Sequence, residues 1–293
     1  MIHKTYTSSK RAFSMIELVL VIVILGIVSS IGASAIANVY ESYIVQRAVH
    51  RASNNAELAA MQIANRLTYR ISGSVIGRQT AGGTFLPLDQ VPDDSYKVLE
   101  WIAYDNDSFS AQATPGWSGY SDINSTSATR TNIPTPGSDL SIATTIIAKL
   151  GGSTASDLAL IFGGHEYNNT VNYDAACMGF TNSNCIFKPT IASNTSFISG
   201  LAGTGPSVLM RDQYKLAWTA YALVPVGNTL TLRYNYQPWN GIQSGSVTPQ
   251  VLVDNLVSFR FKGDGDTIRF KLCVQEEIGD QNITICKEKA VIR

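Results

Sequence analysis

The longest apolar stretch of the chain covers residues 13–37 and reads FSMIELVLVIVILGIVSSIGASAIA. It is about as long as the roughly 20 residues that a bilayer-spanning helix needs. Glu17 is its one charged residue. A carboxylate near the start of a membrane-length helix is energetically costly, so its presence points to a function. The pattern therefore predicts a membrane-spanning helix that carries a functional acid near its start.

Beyond this stretch, apolar residues recur in steps of three and four as far as Leu67, which is the spacing of one face of an α-helix. Polar residues fill the other positions, and no proline occurs before Pro87. One helix from Phe13 to about Tyr69 would be about 85 Å long, at about 1.5 Å per residue. We expect its first part to be apolar all round and residues 38–70 to be one-sided.

Residues 71–293 have the pattern of a globular, β-rich head. Hydrophobic segments with Gly, Asn or Asp at most of the turns between them predict an antiparallel meander near the end of the chain. The expected strands are 97–105, 157–164, 215–225, 228–238, 251–263, 266–275 and 282–293. A short helix is expected at 140–150, before two glycines. The fold class is therefore α+β, with the long N-terminal helix packed on a mainly antiparallel sheet built from 215–293.

Three segments of the head show no strand pattern. Residues 71–92 are expected to form a connector that contains glycines. Residues 108–136 are rich in Ser, Thr, Gly and Pro, and residues 165–204 are also loop-rich. We expect these last two segments to be long inserts at the periphery of the sheet, where long loops are tolerated and function tends to collect.

Charge is distributed asymmetrically around the first apolar stretch. Lys4, Lys10 and Arg11 precede it, and no basic residue follows until Arg47. Positive flanks stay cytoplasmic, so the amino terminus is expected inside and the head outside. An ordinary secretory signal would have a shorter apolar core of about 7 to 15 residues. A plain single-pass anchor would explain the apolar length but not Glu17.

The start of the chain resembles the prepilin signature of type IV pilins and type II secretion pseudopilins. In that family a basic leader ends in Gly or Ala, the next residue is usually Phe, and Glu stands fifth in the mature chain. Ala12, Phe13 and Glu17 occupy these positions here. The resemblance implies a leader at 1–12, cleavage between Ala12 and Phe13 by a prepilin peptidase, and N-methylation of Phe13. It also implies that Glu17 acts in assembly by neutralising the amino group of Phe13 in a neighbouring subunit, unless the carboxylate merely reaches the membrane edge.

A weaker resemblance covers residues 216–293. The larger J-type minor pseudopilins and W-type minor pilins have a YxL strand, an LxRY strand and an LVDNVxSFxF segment before a final hairpin. The corresponding residues here are YAL at 221–223, LRY at 232–234 and LVDNLVSFRF at 252–261. This resemblance implies a minor subunit with a large head.

All four cysteines follow the membrane segment, and an even number on the exported side favours disulfides. Four cysteines allow three pairings. Cys273 and Cys286 lie in segments that flank a predicted turn, so a hairpin would place them opposite each other, and Cys177 and Cys185 would then close a small loop. Zinc binding is the alternative, but the chain has no CxxC and His165 is the one histidine near these cysteines.

The remaining chemistry points away from catalysis. Formal net charge is zero and charged residues are 15% of the chain, which gives no sign of nucleic-acid binding. Residues 263–266 (GDGD) could bind calcium but lack the other acids of a loop site, so a hairpin turn is expected. His165 and Glu166 have no partner motif and are expected in a loop. No nucleophile elbow, phosphate loop or HExxH sequence occurs. We expect no enzymatic activity, metal or cofactor.

The tryptophans and tyrosines could form a surface for glycan or another substrate, but packing is the expected role of most of them.

The sequence thus predicts a minor pilin or minor pseudopilin of a type IV pilus or type II secretion pseudopilus. We expect a single-pass precursor in the bacterial inner membrane with its head in the periplasm. Its expected partners are other pilins or pseudopilins, the prepilin peptidase and the inner-membrane assembly platform. Subunits of pili, pseudopili and DNA-uptake filaments share this helix, so the sequence does not distinguish among these three assemblies. The alternative is a membrane-tethered adhesin or ligand-binding protein on a pilin-like stalk, which a pocket in the inserts would favour.

Overall fold

The computed structural model describes residues 14–92, 94–129, 131–163, 174–199, 210–279 and 281–292 of the 293-residue chain. The expected cleavage site at Ala12 and Phe13 lies outside the described residues, and so do His165 and Glu166.

Helix α1 (Met15–Thr68) is 54 residues long, or about 80 Å at about 1.5 Å per residue. Ser14 caps its start, because the Ser14 hydroxyl accepts a hydrogen bond from the backbone N–H of Glu17 at 3.3 Å. Among the described residues, this is the one helix long and apolar enough to cross a membrane. Its buried residues all lie in the second half: Ala52, Ala56, Ala59, Ala60, Ile63 and Leu67. The predicted long helix with a one-sided second half is confirmed.

A seven-stranded antiparallel sheet forms the centre of the head. Its strands are β1 (Ile76–Arg78), β2 (Phe85–Pro87), β3 (Val98–Tyr104), β5 (Ala159–Phe162), β8 (Tyr214–Val226), β9 (Thr229–Tyr236) and β10 (Gln250–Val253). They pair in the order β10–β9–β8–β3–β1–β2, and β5 pairs with the first part of β8. Strands β1 and β2 lie in the segment predicted to be a connector. That prediction was wrong because strands of three residues are too short to show an alternating pattern.

The last part of the chain forms a separate three-stranded antiparallel sheet, ordered β11 (Leu256–Asp264), β12 (Thr267–Ile278) and β13 (Gln281–Val291). One strand was predicted at 251–263. The structure has two strands there, β10 and β11, because the extended conformation is interrupted between them, where Asn255 has a φ of 56°. Asn is one of the few residues that tolerate this left-handed conformation. The prediction of one sheet built from 215–293 was therefore wrong. Helix α1 packs mainly against β12 and β13.

The two predicted loop inserts contain regular structure and pair with each other. Strands β4 (Asn132–Pro134), β6 (Pro189–Ser193) and β7 (Ser196–Ser199) form a third small sheet, in which β4 pairs with β7. Helices α2 (Asn106–Phe109) and α3 (Leu140–Lys149) accompany it, and α3 confirms the helix predicted before the glycines. Short 3₁₀ turns occur at Leu88–Gln90, Pro238–Asn240 and Ser244–Ser246, and a π-type turn occurs at Ala176–Phe180.

Both faces of the central sheet are buried. Side chains alternate along β3, so Leu99 and Trp101 pack in the cluster that includes α1 and β12, whereas Ile102 packs in the cluster beneath the inserts. The inserts therefore cover the face of the sheet opposite the helix, and they are not confined to its periphery. The expected packing role of the tryptophans is confirmed, because all four are buried: Trp101, Trp117, Trp218 and Trp239.

Candidate functional site

The first half of α1 is an apolar surface that the head does not cover. All residues from 14 to 44 are exposed, and Leu18, Ile22 and Leu25 each expose more than half of their area. Apolar side chains also face outward further along the helix, because Leu58 is 60% exposed and Met61 is 48% exposed. Exposed apolar area of this extent marks a contact surface for a membrane or another protein.

Glu17 lies in the first turn of this apolar helix. The positive end of the helix dipole is there, which favours a carboxylate. The next charged residue along the helix is Glu41, about 36 Å away at about 1.5 Å per residue. Glu17 makes no ion pair with any of the described residues. An acid in apolar surroundings needs a partner, so the geometry leaves Glu17 available to a group on another molecule.

The C-terminal hairpin carries one disulfide and is joined to α1 by charge. Cys273 on β12 lies opposite Cys286 on β13, and the two are bonded, with their Cα atoms 4.0 Å apart. Lys287 and Lys289 on β13 both reach Glu57 on the helix. The disulfide and the ion pairs together hold the last strand against the helix.

The second disulfide, Cys177–Cys185, closes a loop in the second insert, so both bonds join the cysteines that the hairpin argument paired. Gly179 in this loop has a φ of 104°, and a Cβ on it would lie 2.5 Å from the backbone nitrogen of Trp239. Both features require glycine. The Ser183 hydroxyl also donates to the carbonyl of Trp239 at 3.2 Å. The disulfide loop is thus pressed closely onto the turn at Pro238–Asn240.

A charged cluster lies buried beneath this loop, on the face of the central sheet opposite α1. Glu100 is fully buried, and its Oε2 accepts from the Nε of Arg78. Its Oε1 accepts from the hydroxyl of Tyr236 at 2.7 Å. Burial raises the pKa of Glu100, while the Arg78 guanidinium and the Tyr236 hydroxyl oppose that rise. Burial, reinforced by the neighbouring carboxylate, raises the pKa of Tyr236 well above its ordinary value.

Sequence reasoning missed this cluster. Its visible signal was Glu100, an acid between buried neighbours in the strand VLEWIAY. Arg78 lies in the segment expected to be a connector, and Tyr236 is far away in the sequence. Their meeting depends on strand pairings that a local pattern does not reveal.

A cavity of about 200 Å³ opens above the charged cluster. Arg78 and Glu100 line it from the sheet, and the disulfide loop and the turn after β9 line its other sides. The lining residues contributed by these two segments are Gly179, Phe180, Thr181, Asn182, Ser183, Pro238, Trp239, Gly241, Ile242 and Gln243.

The remaining candidate, residues 263–266, forms the turn of the β11–β12 hairpin, as expected. Asp264 pairs with Thr267, and Gly265 has a φ of 57° at the tip. In the described part of the chain, no group of three or more His, Cys, Asp or Glu side chains is placed to hold a metal ion.

Comparison with known protein families gives a match to the first part of the chain. A family model described as the prokaryotic N-terminal methylation motif matches residues 7–33, which include Lys10, Arg11, Ala12, Phe13 and Glu17. No curated protein and no solved structure matches the chain.

Proposed function

We propose that this type IV pilin-like chain is a minor pilin or minor pseudopilin, a structural subunit built into a type IV pilus or type II secretion pseudopilus. The observation that carries the proposal is the methylation motif at residues 7–33, placed on a helix whose first half the head leaves uncovered. The proposal explains the sequence at the start of the helix by the methylation motif. It explains the long uncovered apolar segment by packing in the membrane and then in the filament.

In this proposal the chain has four parts. Residues 1–12 are a leader that the prepilin peptidase removes after Ala12, and Phe13 then becomes the methylated amino terminus. Residues 13–37 span the inner membrane before assembly and enter the filament core afterwards. Residues 38–70 continue the helix into the head, which comprises residues 71–293 and faces the periplasm.

Glu17 directs assembly in the proposed mechanism. The free amino group of Phe13 and the carboxylate of Glu17 are both charges in apolar surroundings, and each is costly alone. Pairing the carboxylate of one subunit with the amino group of its neighbour removes both costs together. The absence of a partner for Glu17 among the described residues of its own chain supports this role.

The size of the head supports a minor role. Two disulfide-stabilised segments and a three-stranded sheet surround the central sheet, so a filament that repeated this head at every subunit would be crowded. The proposed subunit is therefore rare or located at the tip, where it works with other minor subunits. Labelling that finds it evenly along the filament, as the main component, would contradict this part of the proposal.

Replacing Glu17 tests the assembly role. The Glu17→Ala variant should enter the membrane as well as the unmodified chain, because removing an acid makes insertion easier. It should be depleted from filaments sheared off the cells that produce it. Glu41→Ala is the matched control, since Glu41 is an exposed acid on the same helix outside the motif. Equal recovery of the Glu17→Ala and Glu41→Ala variants in filaments would remove the assembly role.

A second candidate function has one specific observation in its favour. The cavity above Arg78 and Glu100 lies partly in the second insert, where a ligand-binding protein on a pilin-like stalk would carry its site. The two functions are compatible, because the helix and the cavity lie on opposite faces of the central sheet.

A further inference from the structure

The Arg78 side chain is buried but incompletely hydrogen-bonded. It is 3% exposed, its Nε donates to Glu100, and its Nη1 donates to the carbonyl of Gly83. Its carbon Cζ lies 4.9 Å from the ring centre of Phe85 and 5.6 Å from that of Phe180. Among the described residues, nothing accepts a hydrogen bond from Nη2. A guanidinium has five N–H groups, and Arg78 lines the cavity, so donors remain for whatever fills it.

Leaving such donors without an acceptor is unfavourable. The occupant of the cavity must therefore supply oxygen atoms that accept hydrogen bonds. The opposite walls carry hydroxyl and amide side chains at Thr181, Asn182, Ser183 and Gln243, which can both donate and accept. An occupant with several hydroxyl groups satisfies both sides.

Charge restricts the occupant further. Glu100 already provides a negative charge beside Arg78, and both lie in a region of low dielectric constant, where a further unpaired charge would be costly. An anion would lie close to the Glu100 carboxylate, and a cation would lie close to the guanidinium. The occupant that fits is uncharged.

The cavity is small and has exposed residues at its rim. About 200 Å³ corresponds to the share of roughly seven liquid water molecules, at about 30 Å³ each, so the cavity is small. The rings of Phe180 and Trp239 supply apolar area beside the polar groups. Thr181, Asn182 and Gly241 are exposed at the rim, on the side of the sheet away from α1.

We propose that this cavity is a binding site for one uncharged sugar ring, either free or at the end of a glycan, held by Arg78 and by the disulfide loop. The sugar oxygens accept from Nη2 of Arg78, and its hydroxyl groups exchange hydrogen bonds with the hydroxyl and amide side chains opposite. The proposal rests on the proposed function in one respect: a filament assembled through its helices would present this side of the head outward.

Saturation-transfer NMR on the purified full chain tests the site. The chain is kept in a detergent without a sugar headgroup, and the probes are glucose, galactose, mannose, fucose, N-acetylglucosamine and N-acetylgalactosamine. At least one probe should receive saturation from the protein. If none does, the cavity holds water and the proposal is overturned. N-acetylneuraminic acid is the charged probe, and tighter binding of this acid than of every neutral sugar would overturn the uncharged class.

Two matched variants locate the binding. Thr181→Trp adds a large ring at the rim of the cavity and should abolish the signal. Thr190→Trp adds the same ring at an exposed position on β6, outside the cavity lining, and should keep it. Unchanged binding by Thr181→Trp would refute the site. Arg78→Lys keeps the charge and removes the guanidinium fork, so it should weaken binding, and Thr181→Trp still decides the case if this variant does not fold.

A further comparison separates the two sources of sugar. The bound monosaccharide is offered again at the non-reducing end of an immobilised oligosaccharide. Binding of both forms assigns a glycan, and binding of the free form alone assigns a free sugar; each supports the site. These measurements use purified chain, so they are unaffected if Glu17→Ala assembles normally and the proposed assembly role fails.

Discussion

Lys289 on the last strand and Glu57 on the N-terminal helix form an ion pair, with Nζ 2.5 Å from Oε1, although 232 residues separate them in the chain. Lys287 approaches the other carboxylate oxygen of Glu57 at 3.6 Å. The hydrogen bond from Lys289 and the charges of both lysines lower the pKa of Glu57. This contact ties the end of the chain to the helix that would anchor the protein in a membrane or filament.

The first prediction concerns this ion pair. An acid whose pKa is lowered in the folded state stabilises the protein above its ordinary pKa and loses that contribution as pH falls through the lowered pKa. Glu57→Gln should therefore lower the melting temperature slightly at neutral pH and low salt. The difference should vanish near about 1 M salt, where the Debye length is about 3 Å. Glu41→Gln, at an exposed position without an ion pair in the described part of the chain, should change little at either salt concentration. Equal losses at both salt concentrations would contradict the electrostatic explanation.

The second prediction concerns the buried hydrogen bond between Tyr236 and Glu100. Tyr236→Phe removes the hydroxyl that donates to Glu100 and should lower the free energy of unfolding by about 1.5–3 kcal/mol, the range for hydrogen bonds to charged groups. Tyr234→Phe removes a hydroxyl from a side chain that is 40% exposed and should stay within about 0.5 kcal/mol of the unmodified chain. Denaturant unfolding of the two variants measures the difference. Equal free energies would show that the buried bond adds nothing.

The third prediction concerns Asp105, which caps helix α2. Its Oδ1 accepts from the backbone N–H of Ser108 at 3.2 Å, while Oδ2 is buried and finds no hydrogen-bond partner among the described residues. Burial raises the pKa of Asp105 to about 6. The folded protein therefore holds this proton more tightly than the unfolded chain, and stability should fall as pH rises from about 4 to about 6.

Asp105→Asn keeps the capping oxygen and removes the buried charge. It should match the unmodified chain near pH 4 and exceed its stability at pH 7, by up to about 3 kcal/mol for a pKa difference of about two units. Melting curves at several pH values measure this. Some slope should remain, because the pKa of Glu100 is also raised. A variant as pH-dependent as the unmodified chain would contradict the assignment to Asp105.

The fourth prediction concerns the disulfides. Removing the Cys273–Cys286 bond, whose cysteines are 13 residues apart, should cost about 3 kcal/mol in the chain-entropy description. Removing Cys177–Cys185, with a separation of 8, should cost slightly less. The tests are unfolding of the two double Cys→Ala variants and peptide mapping without reduction. A crossed pairing in the peptide map would contradict the hairpin register.

The fifth prediction concerns processing. Mass spectrometry of the mature protein should find Phe13 at the amino terminus, carrying an N-methyl group. Ala12→Gly should be processed in the same way, because Gly is the commoner residue at that position in prepilins. A mature chain that begins at Met1, or beyond residue 37, would contradict both the cleavage site and the proposed leader.

Sequence reasoning succeeded where a structural feature depends on neighbouring residues. The long helix follows from the spacing of apolar residues up to Leu67. The strands β8, β9, β12 and β13 follow from short hydrophobic segments with turn residues between them. The partnership of Cys273 and Cys286 follows from one hairpin, because the strands on both sides of its turn are continuous.

Sequence reasoning failed where contacts between distant segments determine the structure. The predicted strand at 251–263 is interrupted at Asn255, and its two parts belong to different sheets. The inserts form strands because β4 and β7 pair with each other, and Asn132 lies opposite Ile198 across a long stretch of sequence. The cavity was missed for the same reason. Arg78 and Glu100 meet through strand pairing, and the disulfide loop that covers them lies much later in the sequence.

The packing of α1 also has a consequence for the order in which the protein folds. Its buried face, which includes Ala56 and Ile63, shares a cluster with Phe270 and Leu272 of β12. The helix is synthesised long before β12 and β13, so this face stays uncovered until those two strands have been made. Contacts between such distant segments form late, and apolar surface exposed in the meantime invites aggregation. A chain that stops before β12 would leave this face of the helix without its partners, so the head cannot close over the helix until both C-terminal strands are present.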